Sequence, residues 1–196
     1  MAAARDGFAA IGLAALLFAS TSLAQQARLD EVRVVGHYDN SVGSSDAASQ
    51  GVVGASLLEN RPALRTGEIL EYVPGMIVTQ HSGDGKANQY FLRGFNLDHG
   101  TDFATRVDGV PVNLPTHGHG HGYTDLNFLM PELVERIEYR KGPYFADNGD
   151  FSTAGSADIV LRDRLERPLV SIGIGEHGYG RLFGAGSVAT AHGNWL

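Results

Sequence analysis

Apolar residues recur at alternate positions in two runs toward the end of the chain. Val170, Ile172 and Ile174 alternate with Leu169, Ser171, Gly173 and Gly175, and after a turn at Glu176 to Gly178 a second run extends from Tyr179 to Ala189. A period of two predicts half-exposed strands, and small residues along one face suit a barrel wall whose inner side meets water or other protein. A two-stranded hairpin is marginal by itself. Asn194-Trp195-Leu196 reads as the start of another strand, so the chain is expected to stop inside something larger.

From Gly51 to Asp163 the pattern changes to short elements of mixed type. Ser56 to Asn60 predicts a short helix, and Thr66 is the expected N-cap of a second, Gly67 to Val73, with Glu68 in its first turn and Pro74-Gly75 ending it. Met76 to Thr79, Gln89 to Arg93 and Phe103 to Val107 predict strands. Asp108-Gly109, followed by Val110 and Val112, is the signal of a tight hairpin turn. Pro131 opens a helical turn leading to Val134, Ile137 and Tyr139 at strand-like positions, and Ile159 to Leu161 is a last short strand. The prediction is a small mixed α+β domain.

The first fifty residues have another character. Arg5 precedes an apolar run from Phe8 to Ala19, and Ser22-Leu23-Ala24 has small residues at the two positions a signal peptidase reads. An export signal over residues 1–24 is expected, and the run is too short for the roughly 20 residues of a bilayer-crossing helix. Gln25 to Gln50 is polar and rich in Ser, Asp, Ala and Gly, which predicts a flexible tail. One island, Leu29 to Gly36, has strand-forming residues. It suits addition to the exposed sheet edge of a partner, where main-chain hydrogen bonds supply the affinity, and equally suits an ordinary first strand of the domain.

Charge and composition narrow the function. Lys and Arg number 15 against 22 Asp and Glu, and Arg5 and Asp6 cancel, so loss of the signal leaves the net charge at -7. With no basic cluster, nucleic acid is not an expected partner. The chain has no cysteine, so any metal ligand must be His, Asp or Glu. The 26 glycines, spread among Val, Ile, Tyr and Phe, fit many turns and short strands.

One segment carries unusual chemistry: Leu114-Pro115-Thr116-His117-Gly118-His119-Gly120-His121-Gly122. Three imidazoles separated by single glycines can fold around one zinc, copper or nickel ion, or point one way from an extended strand. The alternative is a glycine-rich turn whose histidines hydrogen-bond neighbouring loops or water. Asp98, His99 and Asp102 are secondary candidates better suited to shaping a turn, and His37, His177 and His192 are isolated. A His-x-His pair also occurs in metal-dependent hydrolases, but that reading needs a carboxylate and further His ligands on later strands of a large scaffold, with a general base beside an open metal position, and no such set is expected here. A periplasmic metal-binding module is the other alternative, and the amphipathic hairpin from Arg167 to Ala189 speaks against it.

Several segments together resemble the plug region of TonB-dependent outer-membrane receptors. Arg61-Pro62, Glu68-Ile69-Leu70 and Val73-Pro74-Gly75-Met76 are similar to the family's first plug helix and following strand. Leu92-Arg93-Gly94-Phe95 resembles its Arg-Gly strand, and Val107-Asp108-Gly109-Val110-Pro111 its Asp-Gly hairpin. Pro131 to Tyr139, followed by Lys141-Gly142-Pro143, resembles the helix, strand and turn near the plug's end. Their order across residues 51–163 makes the match specific.

The resemblance implies a plug domain over residues 51–165 with a four-stranded sheet and short helices, followed over residues 166–196 by the first antiparallel strands of an incomplete transmembrane β-barrel. It implies a flexible periplasmic tail, 25–50, whose TonB box is Asp30, Glu31, Val32, Arg33, Val34 and Val35. It also implies an outer-membrane location, TonB with its inner-membrane energising complex as partner, and uptake of a scarce nutrient without catalysis or a required cofactor. Barrels of about 22 strands have a plugged lumen, and at roughly 10 residues per strand such a wall needs more than 200 residues, so the chain is expected to be truncated. By the same resemblance the histidine loop lies at the plug's outward apex, with His81 in the neighbouring loop. The expected substrate-binding residues are His81, His117, His119 and His121, the last three as metal ligands for zinc or another transition metal carried as substrate. Arg93 and Asp108 are expected to hold plug strands or plug-to-barrel contacts.

Overall fold

The structure, a computed structural model, describes residues 38–40, 43–47, 49–61, 65–80 and 85–196. The expected signal, the box from Asp30 to Val35, and both His37 and His81 lie outside the described residues.

Two sheets build the first part. The larger has seven strands in the order β1-β2-β3-β9-β10-β7-β8. These are β1 (Tyr38–Asn40), β2 (Gly43–Ala47), β3 (Gln50–Val53), β7 (Phe103–Val107), β8 (Val110–Pro111), β9 (Val134–Lys141) and β10 (Gly155–Leu161). Its inner four, β3, β9, β10 and β7, are the four-stranded core expected of a plug. β10 pairs antiparallel with β9 and parallel with β7, and the other pairings are antiparallel. The smaller sheet joins β4 (Met76–Thr79), β5 (Gln89–Leu92) and β6 (Phe95–Asn96).

The sheet begins before Gly51. Residues 38–40 and 43–47, assigned by composition to a flexible tail, pair as strands and extend the edge of β3. Ladder hydrogen bonds need only the backbone, so a stretch of Gly, Ser and Asp without an apolar pattern can still pair once a neighbouring strand offers a free edge.

The core lies between the sheets and the helical segments. Helix α1 (Ala55–Asn60) and a 3-10 segment (Thr66–Tyr72) precede β4. The latter begins one residue earlier than expected: Thr66 is already helical, and Glu68 reaches back to accept the Arg65 backbone N–H at 3.3 Å. Ile69 and Leu70 from this segment, and Val73 just after it, join Met76 and Val78 of β4, Tyr90 and Leu92 of β5, Phe103, Val134, Ile137 and Ile159 in one buried cluster. Burial alternates along β4, with Ile77 and Thr79 outside. On β9, Val134 and Ile137 are both buried although three apart. The register explains it: Val160 faces Arg136 and Leu161 faces Val134, so Glu135 is an extra residue that flips the pleat.

Asp108 and Gly109 form the expected turn, with φ of 48° and 76°. Positive φ at both central positions matches the twist of the strands they join. Asp108 also binds β7 to β10: its N–H donates to Ile159 O at 3.0 Å and its Oδ1 accepts from Leu161 N–H at 2.9 Å. That is the strand-holding role expected of it.

The final residues form hairpins. β11 (Leu169–Ile174) and β12 (Gly180–Ala185) pair antiparallel with Ile172 opposite Leu182. The second alternating run does not continue to Ala189, because Gly186-Ser187 breaks it before β13 (Val188–Thr190), which pairs with β14 (Gly193–Trp195). Val170, Ile172, Ile174 and Leu182 are exposed on one face of the first hairpin, while Phe183 on the other is buried. From that inner face Arg181 makes a two-pronged ion pair with Glu132, one prong at 3.0 Å. Among the described residues no helix is long and apolar enough to cross a membrane, which says nothing of strands.

Candidate functional site

The histidine loop is closed at its base by backbone pairing between Leu114 and Tyr123. Leu114 N–H donates to Tyr123 O at 2.9 Å and Gly122 N–H to Leu114 O at 2.7 Å. Asn113 anchors this base from below. Its buried Nδ2 donates toward Gly100 O, Phe103 O and Gly122 O at 3.0, 3.0 and 3.1 Å, while Oδ1 accepts Thr105 N–H at 2.7 Å.

Above that base the three loop histidines part company. The His117 ring stacks on buried Tyr123, with centroids 3.8 Å apart and planes 17° apart, and its Nδ1 accepts the His119 backbone N–H at 3.1 Å. The exposed His119 ring sits 5.5 Å from that of His117 and 5.7 Å, edge-on, from that of His99. His121 turns away: its Nδ1 pairs with Pro115 O at 2.7 Å, and its carbonyl accepts from Thr101 Oγ1 at 2.8 Å. Among the described residues, no three His, Asp or Glu side chains converge closely enough to hold a metal ion. The expected trio of His117, His119 and His121 is therefore not brought together. Single glycines let the chain fold back at Gly120 rather than run extended, which puts the imidazoles on different sides.

His99 takes the place expected of His121 in this group. It is buried, and its Nδ1–H donates to Ala87 O at 3.2 Å and Asn88 O at 3.1 Å. Its Nε2 lies 3.8 Å from Asp98 Oδ1. Tyr123 is fixed alongside, with its hydroxyl accepting Ala87 N–H at 2.7 Å. Below, Tyr90 donates its hydroxyl to Thr124 O at 3.2 Å, and burial raises that phenol far above its ordinary range. Asp98 has a φ of 52° and shapes its turn as expected, with its N–H donating to Asn96 Oδ1 at 2.9 Å. Asp102 belongs to a different job: Thr153 Oγ1 donates to its carboxylate and Ala154 N–H to its carbonyl, tying down the segment before β10.

Sequence reasoning missed Tyr123 and Asn113. Tyr123 continues the alternate row His117, His119, His121, which is the one available signal. Away from this loop, Lys141 is buried with its Nζ donating to Pro74 O at 3.2 Å and lying 5.2 Å above the Tyr139 ring. Desolvation, and then the nearby Arg93 charge, hold its pKa below the ordinary lysine value.

The model of the TonB-dependent receptor plug domain matches residues 43–156 of the chain, more than half of it. The chain belongs to that family. Receptors of this family are transporters rather than enzymes, and the match runs from β2 to the first residues of β10 and includes the histidine loop. Among solved structures, the siderophore receptor PirA from Pseudomonas aeruginosa is 26% identical at a TM-score of 0.44, over 63% of this chain and 20% of that one. The ferric enterobactin receptor PfeA, crystallised with BCV-L6, is 23% identical at a TM-score of 0.46, over 62% of this chain and 18% of that one. The copper transporter OprC is 17% identical at a TM-score of 0.50, over 70% of this chain and 21% of that one, a likeness of fold. The chain spans about a fifth of the length of these receptors.

Proposed function

We propose that this chain is the plug portion of an outer-membrane receptor that takes up a scarce nutrient, a transition-metal ion or its chelate, without chemical turnover. The observation that carries the metal reading is the gathering of His99, His117 and His119 around Tyr123 beside an exposed glycine-rich turn. Imidazole binds zinc, copper and nickel well. In this reading the exposed apolar face of β11 and β12 meets lipid and the tail faces the periplasm. The segment from Asp30 to Val35 adds as a strand to TonB, which is energised from the inner membrane. Zinc or another transition metal is cargo, and no resident cofactor is required.

The test uses the full-length receptor in cells whose other zinc uptake is removed. Changing His117, His119 and His121 together to Gln keeps polarity but removes the imidazole nitrogens. Growth on limiting zinc, copper or nickel should fail for the metal that is carried. Unimpaired growth on all three would show that the loop is a connector.

A further inference from the structure

We propose that Phe151 positions the histidine loop: held on a strained backbone, its ring seats the base of that loop, at Gly122, against the segment leading into β10. That the loop so positioned meets cargo rests on the reading above.

Phe151 holds a conformation that its own chemistry disfavours. Its φ is 59°, and among the described residues it is the one apolar side chain at positive φ. In that region a β-carbon crowds the following carbonyl oxygen, and bulky residues are rarely found there. Glycine takes such conformations elsewhere in the chain, at Gly149 just before and Gly155 just after. A ring at position 151 therefore costs backbone energy that its contacts have to offset.

The contact lies at the loop base. A β-carbon on Gly122 would lie 2.7 Å from Phe151 Cδ1, 3.1 Å from its Cε1 and 2.9 Å from Thr101 Cα. The edge of the half-buried ring thus fills the space that a side chain at 122 would take, and Gly122, itself at a φ of 81°, is the residue that admits it. Gly122 is also where the base is fastened. Its N–H donates to Leu114 O at 2.7 Å, and its carbonyl accepts from Asn113 Nδ2 at 3.1 Å and Thr124 Oγ1 at 3.0 Å. Thr101 Oγ1 holds the neighbouring His121 carbonyl.

The strained residue is clamped from its own side as well. Ser152 Oγ donates to Gly149 O at 2.6 Å, Thr153 Oγ1 donates to the Asp102 carboxylate, and Ala154 N–H donates to Asp102 O at 2.9 Å. Ala154 O accepts the Gly142 N–H at 2.7 Å, immediately after β9. Strained dihedrals persist where the surroundings over-determine them, and here the loop supplies one side of that constraint. Lifting the loop uncovers the ring, and removing the ring unseats the loop while relieving the segment.

That asymmetry is what hydrogen exchange read by mass spectrometry on the full-length receptor would measure, in the parent, Phe151→Asn and Phe151→Leu. Asn accepts positive φ and removes the ring, whereas Leu keeps an apolar side chain on the strained backbone. Circular dichroism checks the fold of each variant. In Phe151→Asn, amides of residues 113–124 should exchange about tenfold or more faster, while those of 149–155 rise by no more than about twofold; Phe151→Leu should keep the loop within about threefold of the parent. A side chain that merely fills the core would speed the loop, the 149–155 segment and β9 together. That result, or loop exchange in Phe151→Asn within about twofold of the parent, overturns the proposal. Uptake of zinc(II), copper(II) and nickel(II) by the same Asn variant tests the other reading separately. For the metal carried, the concentration giving half-maximal uptake should rise about threefold or more at an unchanged maximal rate. Uptake like the parent's for all three, beside faster loop exchange, upholds the positioning role and overturns the metal reading of the loop.

Discussion

Replacing Asn113 with Asp changes one atom and little volume, yet it should be among the most damaging substitutions in the plug. Nδ2 has two hydrogens directed at three buried carbonyls, those of Gly100, Phe103 and Gly122, and Oδ1 takes the Thr105 N–H. A net hydrogen bond is worth about 1 kcal/mol, and a buried group left unsatisfied costs about 1–3 kcal/mol. Truncation to Ala forfeits all of these contacts and should cost about 3–4 kcal/mol. Asp keeps the bond from Thr105 but sets a carboxylate oxygen against three carbonyl oxygens, so the cost at neutral pH should equal or exceed that of Ala, about 4 kcal/mol. The surroundings disfavour ionisation, raising the new group's folded pKa above its unfolded one. The penalty is thus full above the folded value and shrinks as pH falls, because the protonated acid can donate to one carbonyl. Urea unfolding of the chain followed by circular dichroism, at neutral pH and near pH 4.5, measures both quantities. Should the Asp variant lie within about 0.5 kcal/mol of the parent at neutral pH, the hydrogen-bond assignment at this hub is wrong.

Three other outcomes are expected. Glu132→Gln should loosen the first hairpin from the plug. Hydrogen bonding to Arg181 is the main cause of the lowered Glu132 pKa, so the parent's advantage exists above the unfolded carboxylate value and fades as pH falls through the lower folded one. After screening, the pair is worth about 0.5–1 kcal/mol, and amide exchange along β12 reads it. Gly155→Ala should cost more than about 2 kcal/mol in a urea melt, since φ is 145° and an added Cβ would lie 2.3 Å from the Arg140 carbonyl oxygen. Val34→Pro removes a backbone donor from the expected TonB box and should weaken capture of the TonB C-terminal domain at least tenfold; undiminished capture would move the box elsewhere.

Much of the fold was legible where one face of a strand is buried and the other is not. Met76 and Val78 against Ile77 and Thr79 made β4 readable, and Asp108-Gly109 marked its turn because few residues accept positive φ. β10 was read as only Ile159 to Leu161. Its first half, Gly155-Ser156-Ala157-Asp158, shows no apolar pattern although Gly155, Ser156 and Ala157 are buried between β9 and β7, and Gly155 leaves no room for a Cβ beside the Arg140 carbonyl. β1 and β2 were missed for a related reason: their pairing is a property of the edge they meet, not of their own side chains. At the site, His117 and His119 stood out by composition. The inclusion of His99 and exclusion of His121 did not, because they depend on where the turn after β6 is held and on how the loop folds back over Tyr123. Neither follows from spacing along the chain.

The position of β10 bears on how such a domain is made. It is the last of the seven strands in the chain and lies inside the sheet, with β9 on one side and β7 on the other. A polypeptide emerging N-terminus first cannot close the sheet until Leu161 has been delivered. Before that moment β9 and β7 each present an unmatched row of backbone donors and acceptors, the kind of ridge on which chains stick to one another. Contacts so distant in sequence also form slowly. A newborn plug would spend its early life as two half-sheets waiting for a keystone, the interval in which a holding chaperone has most to protect.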